Sequence, residues 1–145
     1  MRKVLILGVF VLVGCITPRF YEPSELAEYT NCEPSKIAYW ITGRMNYLEQ
    51  GPYWDDASVC MRHQTGDCKC AAAIAMETLN HCPNIASWLV ILDHKEKKVA
   101  HAVAFFTKGD RIGYIDWGRA VIGPSGVSVS DLIADMPGGV WEERE

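Results

Sequence analysis

The stretch Thr65-Gly66-Asp67-Cys68-Lys69-Cys70-Ala71-Ala72-Ala73-Ile74-Ala75-Met76 is a polar turn that runs straight into a helix of small residues. A cysteine at that junction sits at a helix N-terminus. Unpaired backbone N–H groups and the macrodipole favour negative charge there, so the thiol ionises more readily than a free cysteine with a pKa of about 8.5. Cys68 is therefore a candidate nucleophile. Its competing reading is one half of a disulfide, or a small buried hydrophobe.

Downstream, Ala72, Ala75, Met76 and Leu79 recur at helical spacing on the face that starts with Cys68, which predicts a helix to about Asn80, ended by Pro83. The period then changes. The runs Ala86 to Leu92, Val99 to Phe106 and Arg111 to Trp117 are strand-like and are separated by charged turns, as in an antiparallel meander. A Gly/Pro/Ser loop from Gly118 to Gly126 and a short helix near Ser130 to Met136 follow.

Upstream, Pro18, Pro23 and Pro34 mark a tether with a first short helix over Ser24 to Tyr29, capped by Ser24. Ser35 is placed to cap a second helix through Ile37, Ala38, Trp40, Ile41, Met45 and Leu48, stopping near Gln50-Gly51-Pro52. Tyr53-Trp54-Asp55-Asp56 opens an irregular or helical connection back to the Gly66 turn. Helices followed by three strands predict an α+β fold, with helices packed on one face of a small antiparallel sheet.

At 145 residues and 49 % apolar the chain is long enough to bury one core, and its formal charge of -4 argues against a nucleic-acid partner. Lys95-Glu96-Lys97-Lys98 reads as a solvated hairpin tip. The first fifteen residues read as a targeting signal, with Arg2 and Lys3 before the apolar run Val4 to Val13, which is too short for a membrane span of roughly 20 residues. Leu12-Val13-Gly14-Cys15 resembles the lipobox of bacterial lipoproteins, which implies cleavage before Cys15 and its acylation. With Ile16 after it, and not the aspartate that retains lipoproteins at an inner membrane, the expected location is the outer membrane, facing the periplasm. The expected organisation is a signal over 1–15, a tether and first helix over 16–35, and the functional domain over 36–145.

Export changes the cysteine count. Cys32, Cys60, Cys68, Cys70 and Cys82 remain in an oxidising compartment, and an odd number leaves one free thiol if the others pair. Cys70 and Cys82 would lie too far apart along the helix for a disulfide of about 4.4–6.8 Å between Cα atoms. Cys70 is better paired with Cys60 or with Cys32.

Two residues join Cys68 as candidates for chemistry. His101 interrupts an apolar strand and Asp116 ends the next one, so a carboxylate can accept from one imidazole nitrogen while the other faces a thiol. The order nucleophile, base, orienter describes a triad recognised by role. His63, His81 and His94 occupy predicted loops without a partner at metal spacing, and a zinc site from Cys68, Cys70, His63 and His81 is disfavoured because Cys-x-Cys is a poor chelate on a helix.

Tyr53-Trp54, then Gly66-Asp67-Cys68 with Ala72 one turn on, followed by His101-Ala102-Val103 and Tyr114-Ile115-Asp116, resembles the bacterial transglutaminase-like cysteine proteinases across roughly residues 46 to 118. The resemblance implies a papain-like core with Cys68 as nucleophile, His101 as general base and acid, and Asp116 as orienter. Many members carry an acidic residue two positions after the cysteine, where this chain has Cys70. Members that bind calcium do so through carboxylates near the nucleophile, so with only Asp67 retained no cofactor is expected and a calcium site is in doubt.

Cys70 raises a rival register. Gln64 precedes it at the interval at which papain-like enzymes, bacteriocin-processing peptidases among them, place an oxyanion-hole glutamine. About 200° of helix rotation separates the two cysteines, so only one of them can face His101. Gly66-Asp67 and Ala72 favour Cys68, and Gln64 then remains a candidate second oxyanion donor. The function expected is an exported cysteine hydrolase acting on a protein or peptide through an acyl-enzyme, with transfer to an amine open to the same intermediate. The alternatives are a cell-wall peptide endopeptidase of the NlpC type, whose Asp-Cys-Ser-Gly continuation is missing here, and a non-catalytic adaptor with Cys68 in a disulfide.

Overall fold

A computed structural model describes residues 17–144. The signal segment 1–15 and the lipidation candidate Cys15 lie outside the described residues.

The chain starts with two short helices, each opened by a proline in its first turn, where a missing N–H costs nothing. Helix α1 (Pro23–Thr30) begins one residue before the expected Ser24 cap, because Glu25 turns back to accept the Glu22 N–H at 3.1 Å. It ends at Asn31 in the left-handed conformation, φ 50°. Helix α2 (Pro34–Arg44) buries Ile37, Ala38, Trp40 and Ile41. It stops well short of Gln50, and the apolar spacing through Leu48 misleads. Asn46 and Tyr47 (β1) leave the helix to pair in parallel with Thr65 and Gly66 (β2), and Leu48 is exposed.

Between them α3 (Ala57–His63) closes at Gln64 with φ 56°. Helix α4 (Cys68–Asn80) then runs over the expected residues, and Asp67 caps it by accepting the Lys69 N–H at 2.9 Å. Buried residues cover most of the circumference of α4, at Cys70, Ala71, Ala72, Ala73, Ile74, Ala75, Thr78 and Leu79, and the face of Lys69, Met76, Glu77 and Asn80 is partly open. A helix buried over most of its circumference sits between layers. Here α1, α2 and α3 pack on one side of it and the sheet on the other. Alanines at those positions let both layers approach closely.

The sheet is five-stranded, in the order β6-β5-β4-β3-β7, and antiparallel throughout. Strands β3 (Ile85–His94), β4 (Ala100–Lys108) and β5 (Arg111–Asp116) are the expected meander. Two strands of this sheet were not foreseen. Part of the predicted Gly/Pro/Ser loop is β6 (Arg119–Ile122), and the tail adds β7 (Trp141–Glu143) beside β3. Alternation divides β4 between two cores. Ala104 and Phe106 face α4, while Val103 and Phe105 face the opposite side. The opposite side is covered by Leu132 and Ile133 of α5 (Val129–Ala134), so one short helix stands across the sheet from the others.

Two disulfides join the elements. Cys32–Cys82 ties the joint between α1 and α2 to the end of α4, and Cys60–Cys70 ties α3 to the start of α4. Within the segment 16–35, read as a tether and first helix, α1 packs its Leu26 into the main core. No helix among the described residues is long and apolar enough to cross a membrane.

Candidate active site

The site lies where two strands part. Pairing between β4 and β5 ends at Ala104 with Ile115, while β4 continues against β3 back to Ala100. Beyond Asp116 the chain turns sharply, with Trp117 in the left-handed region at φ 48°, and enters β6. Strain of this kind costs of order 1–3 kcal/mol and persists where the surroundings hold it. The Trp117 ring packs against Tyr47, with centroids 5.4 Å apart. The result is a gap beside the first residues of β4, and the N-terminus of α4 fills it.

Cys68 sits in this gap, half-buried, and is the free cysteine among the described residues. The reading of Cys68 as half of a disulfide is therefore overturned. Cys70, the rival nucleophile, is bonded to Cys60, so it carries no thiol and cannot serve as a zinc ligand. The same bridge explains Gly66: a Cβ there would collide with the Cβ and Sγ of Cys70.

Imidazole, carboxylate and thiol meet in one line. His101 Nε2 donates to Asp116 Oδ1 at 2.8 Å, which leaves Nδ1 for the hydrogen bond with Cys68. Burial alone would push the Cys68 thiol up. The hydrogen bonds from His101 and from the backbone N–H of Ala102, with the charge of His101, outweigh burial and hold the thiol below its ordinary value. Burial likewise opposes charge on His101, but Asp116 and Cys68 raise it to about 9. Each group thus favours the charged form of the other, thiolate beside imidazolium.

The Ala102 N–H that faces Cys68 is one that β5 would have engaged had the ladder continued. Trp141 of β7 covers the imidazole, with ring centroids 5.2 Å apart, and limits its contact with water. Neither feature was legible beforehand, since β7 is three residues long and the end of the ladder is a property of pairing.

Cys68 and His101 open on a cleft of ≈ 490 Å³. Its walls include Tyr47, Glu49, Pro52 and Trp54 from the segment before α3, and Lys98, Val99 and Ala100 from the start of β4. Tyr47 and Trp54 are largely exposed there. Burial raises the Tyr47 hydroxyl first, and the negative charges of Cys68, Asp67 and Glu49 add to it, so the phenol stays protonated beside the thiolate.

Gln64 is not among the residues lining this cleft; its Nε2 is buried without a hydrogen-bond partner. His63 ends α3, His81 caps α4 and His94 ends β3, and none of them lines the cleft. Asp55, Cys60 and Cys70 place potential ligand atoms within 4.8 Å of one another, but both sulfurs belong to the disulfide.

No family model matches the chain, and no curated protein does. Solved structures do. A calcium-bound structure of Legionella pneumophila LapG superimposes with a TM-score of 0.57 at 15 % identity, covering 82 % of this chain and 68 % of that one. A second LapG structure gives 0.53 at 16 % identity, with 68 % of this chain and 63 % of LapG covered. A candidate cysteine protease from Cytophaga hutchinsonii gives 0.52 at 16 % identity and covers 88 % of this chain and 48 % of its own. The chain thus spans less than two thirds of the second and third of these proteins. At such identities the likeness is one of fold: a papain-like, transglutaminase-like core of helices on an antiparallel sheet.

Proposed function

We propose that the chain is an exported, lipid-anchored cysteine hydrolase of the transglutaminase-like kind, acting on amide bonds of a protein or peptide. The observation that carries this reading is the free thiol of Cys68 hydrogen-bonded to an imidazole that is itself held by Asp116. The Cys68 thiolate attacks the carbonyl carbon, and the carbonyl electron pair moves to oxygen. Collapse expels the amine, which takes the proton from His101, and leaves a thioester on Cys68. His101 then removes a proton from water as the water oxygen bonds to the thioester carbon, and collapse of this second intermediate breaks the C–S bond, releasing the acid and restoring the thiolate. An amine in place of water would give transamidation.

The oxyanion forms beside the start of α4, where the Cys68 backbone N–H is one of the donors a helix leaves unpaired. Gln64 is poorly supported as the second donor. Trp54, which lines the cleft and carries an indole N–H, is the better source. The substrate segment is extended. Backbone groups of β4 alternate between its two neighbours, so Ala100 presents its N–H and C=O on the side that Ala102 presents to Cys68, with no strand alongside. A peptide strand can pair there.

Calcium is a question of fit. The ion takes 6–8 oxygens at about 2.3–2.6 Å. The Asp55 group offers one carboxylate and two disulfide sulfurs, and the oxygens of Asp67 already face two N–H groups and an ammonium. These residues do not fit a calcium ion.

Export is supported by two disulfides, which persist in oxidising compartments. The catalytic reading is tested on the oxidised protein with iodoacetamide and a casein or peptide substrate. One thiol is expected to be alkylated, Cys68→Ala is expected to remove both labelling and hydrolysis, and labelling that survives this substitution overturns the reading.

A further inference from the structure

Asp67 is an unusual neighbour for a thiolate nucleophile. It immediately precedes Cys68, its side chain is 4 % exposed, and its negative charge opposes ionisation of Cys68. The carboxylate is nonetheless held as an anion: burial works against that, and the donors around it more than compensate. Oδ1 accepts the Lys69 N–H at 2.9 Å and Oδ2 accepts the Gln50 N–H at 3.2 Å. The Lys69 ammonium closes on Oδ2 as an ion pair, with only 15 % of its side chain exposed.

Through these contacts one carboxylate does two jobs. It caps α4, which sets the nucleophile, and it holds Gln50, which follows the cleft residues Tyr47 and Glu49. The Leu48 N–H bonded to Gly66 O at 2.9 Å makes a second tie between the same segments. A buried carboxylate with this duty needs a cation, since an unpaired buried charge is strongly destabilising. Lysine is a compact point charge on a flexible stem, suited to folding back two residues along its own chain.

We propose that Lys69 is a positioning residue whose ammonium is the built-in cation of the Asp67 latch, so that the cleft wall and the nucleophile turn are held together by the chain itself and not by a bound metal ion. The proposal rests on Cys68 as the nucleophile and adds to it the regulation of that site: its reactivity is independent of calcium. The groups that act on the thiol directly are His101 and the Ala102 N–H of β4, and Asp67 just before α4; Asp116 of β5 acts through His101, Lys69 in the first turn of α4 acts through Asp67, and Tyr47 of β1 lines the same cleft. Glu49, Lys98 and Arg144 stand further out on the cleft walls, Arg144 paired with Asp93. With Lys69 neutralised, the charge of Asp67 acts on Cys68 uncompensated.

The test follows alkylation by iodoacetamide against pH, together with the melting temperature, for the oxidised full chain with EGTA or with calcium chloride. Wild type is expected to give the same profile and the same melting temperature in both. Lys69→Met is expected to move the acid limb of the profile up by roughly one pH unit, a tenfold slower alkylation below the limb. Lys69→Arg, which keeps the charge, is expected to retain the wild-type limb and so separates charge from packing. A wild-type profile or melting temperature that changes with EGTA, or a Lys69→Met limb that overlays the wild type, overturns the proposal. If Cys68 is not alkylated at any pH, it is the hydrolase reading itself that fails.

Discussion

At the scale of single residues, the site depends on a competition between burial and partners. Burial opposes charge on both Cys68 and His101, and each is nonetheless shifted toward its charged form because its partners supply what water no longer does. Asp116 is the anchor of this arrangement, and its removal has a calculable sign. His101 titrates at about 9 in the fold against 6.5 in the free side chain, so its contribution to stability is complete below about pH 6.5 and is lost as pH rises through about 9. The depressed Cys68 works the other way: its contribution is present above the free thiol's pKa and is lost as pH falls through the folded value. Because the two titrate as a coupled pair, the limbs of a pH–rate profile belong to the pair. Asp116→Asn keeps the shape but removes the charge. Hydrolysis is expected to lose its alkaline limb near pH 9, which moves down toward the ordinary histidine value, while the acid limb moves up, leaving a narrow and much lower bell. Profiles of kcat/KM for the two proteins check this, and a variant whose alkaline limb stays put shows that Asp116 does not set it.

Among the elements, those with a strong internal period were readable and those made by pairing were not. Helix α4 and the strands β3, β4 and β5 fall within one or two residues of their expected limits, because their spacing and flanking turns are written locally. Strand β1 consists of two residues that pair only because α2 ends at Arg44, and no local signal separates Met45 and Leu48 from the face of α2. Strands β6 and β7 are short additions to the edges of the sheet, and their strand character comes from β5 and β3. What the sequence did disclose about α4 was its small face, and the structure extends the burial to most of the circumference. Ala75 is fully buried between the two layers. Ala75→Leu introduces bulk that neither layer can yield without moving, so a loss of about 1–3 kcal/mol is expected by urea denaturation. An unchanged midpoint means that α4 is less tightly held than its burial indicates.

For the molecule as a whole, the three residues of the line Cys68, His101 and Asp116 were legible because each carries a local signature: a helix start, a polar residue in an apolar strand, a strand end. Trp141 over the imidazole and the Lys69 ammonium on Asp67 were not, since both depend on how the chain closes on itself. Cysteine counting went further than periodicity, because it bears on closure directly, and Cys60–Cys70 was one of the two pairings that reach allowed. The two bridges differ in what they close. Cys32–Cys82 spans a sequence separation of 50 and Cys60–Cys70 one of 10. On the chain-entropy account these are worth about 4 and about 3 kcal/mol respectively. Location reverses the order for function. Cys32–Cys82 fastens α1 and α2 to the far end of α4, away from the cleft, whereas Cys60–Cys70 lies one turn from Cys68 and against Gly66. Replacing Cys32 and Cys82 by alanine is therefore expected to lower the midpoint of denaturation further than replacing Cys60 and Cys70, by roughly 1 kcal/mol on the same account. Below the transition it leaves the alkylation profile of Cys68 unchanged. The Cys60→Ala/Cys70→Ala pair is expected to slow that alkylation even where the protein remains folded, because the turn that presents the thiol loses its tie to α3. Urea denaturation and alkylation of both double variants measure the two quantities separately, and a single ranking shared by both means that the start of α4 is held by packing and by Asp67 alone.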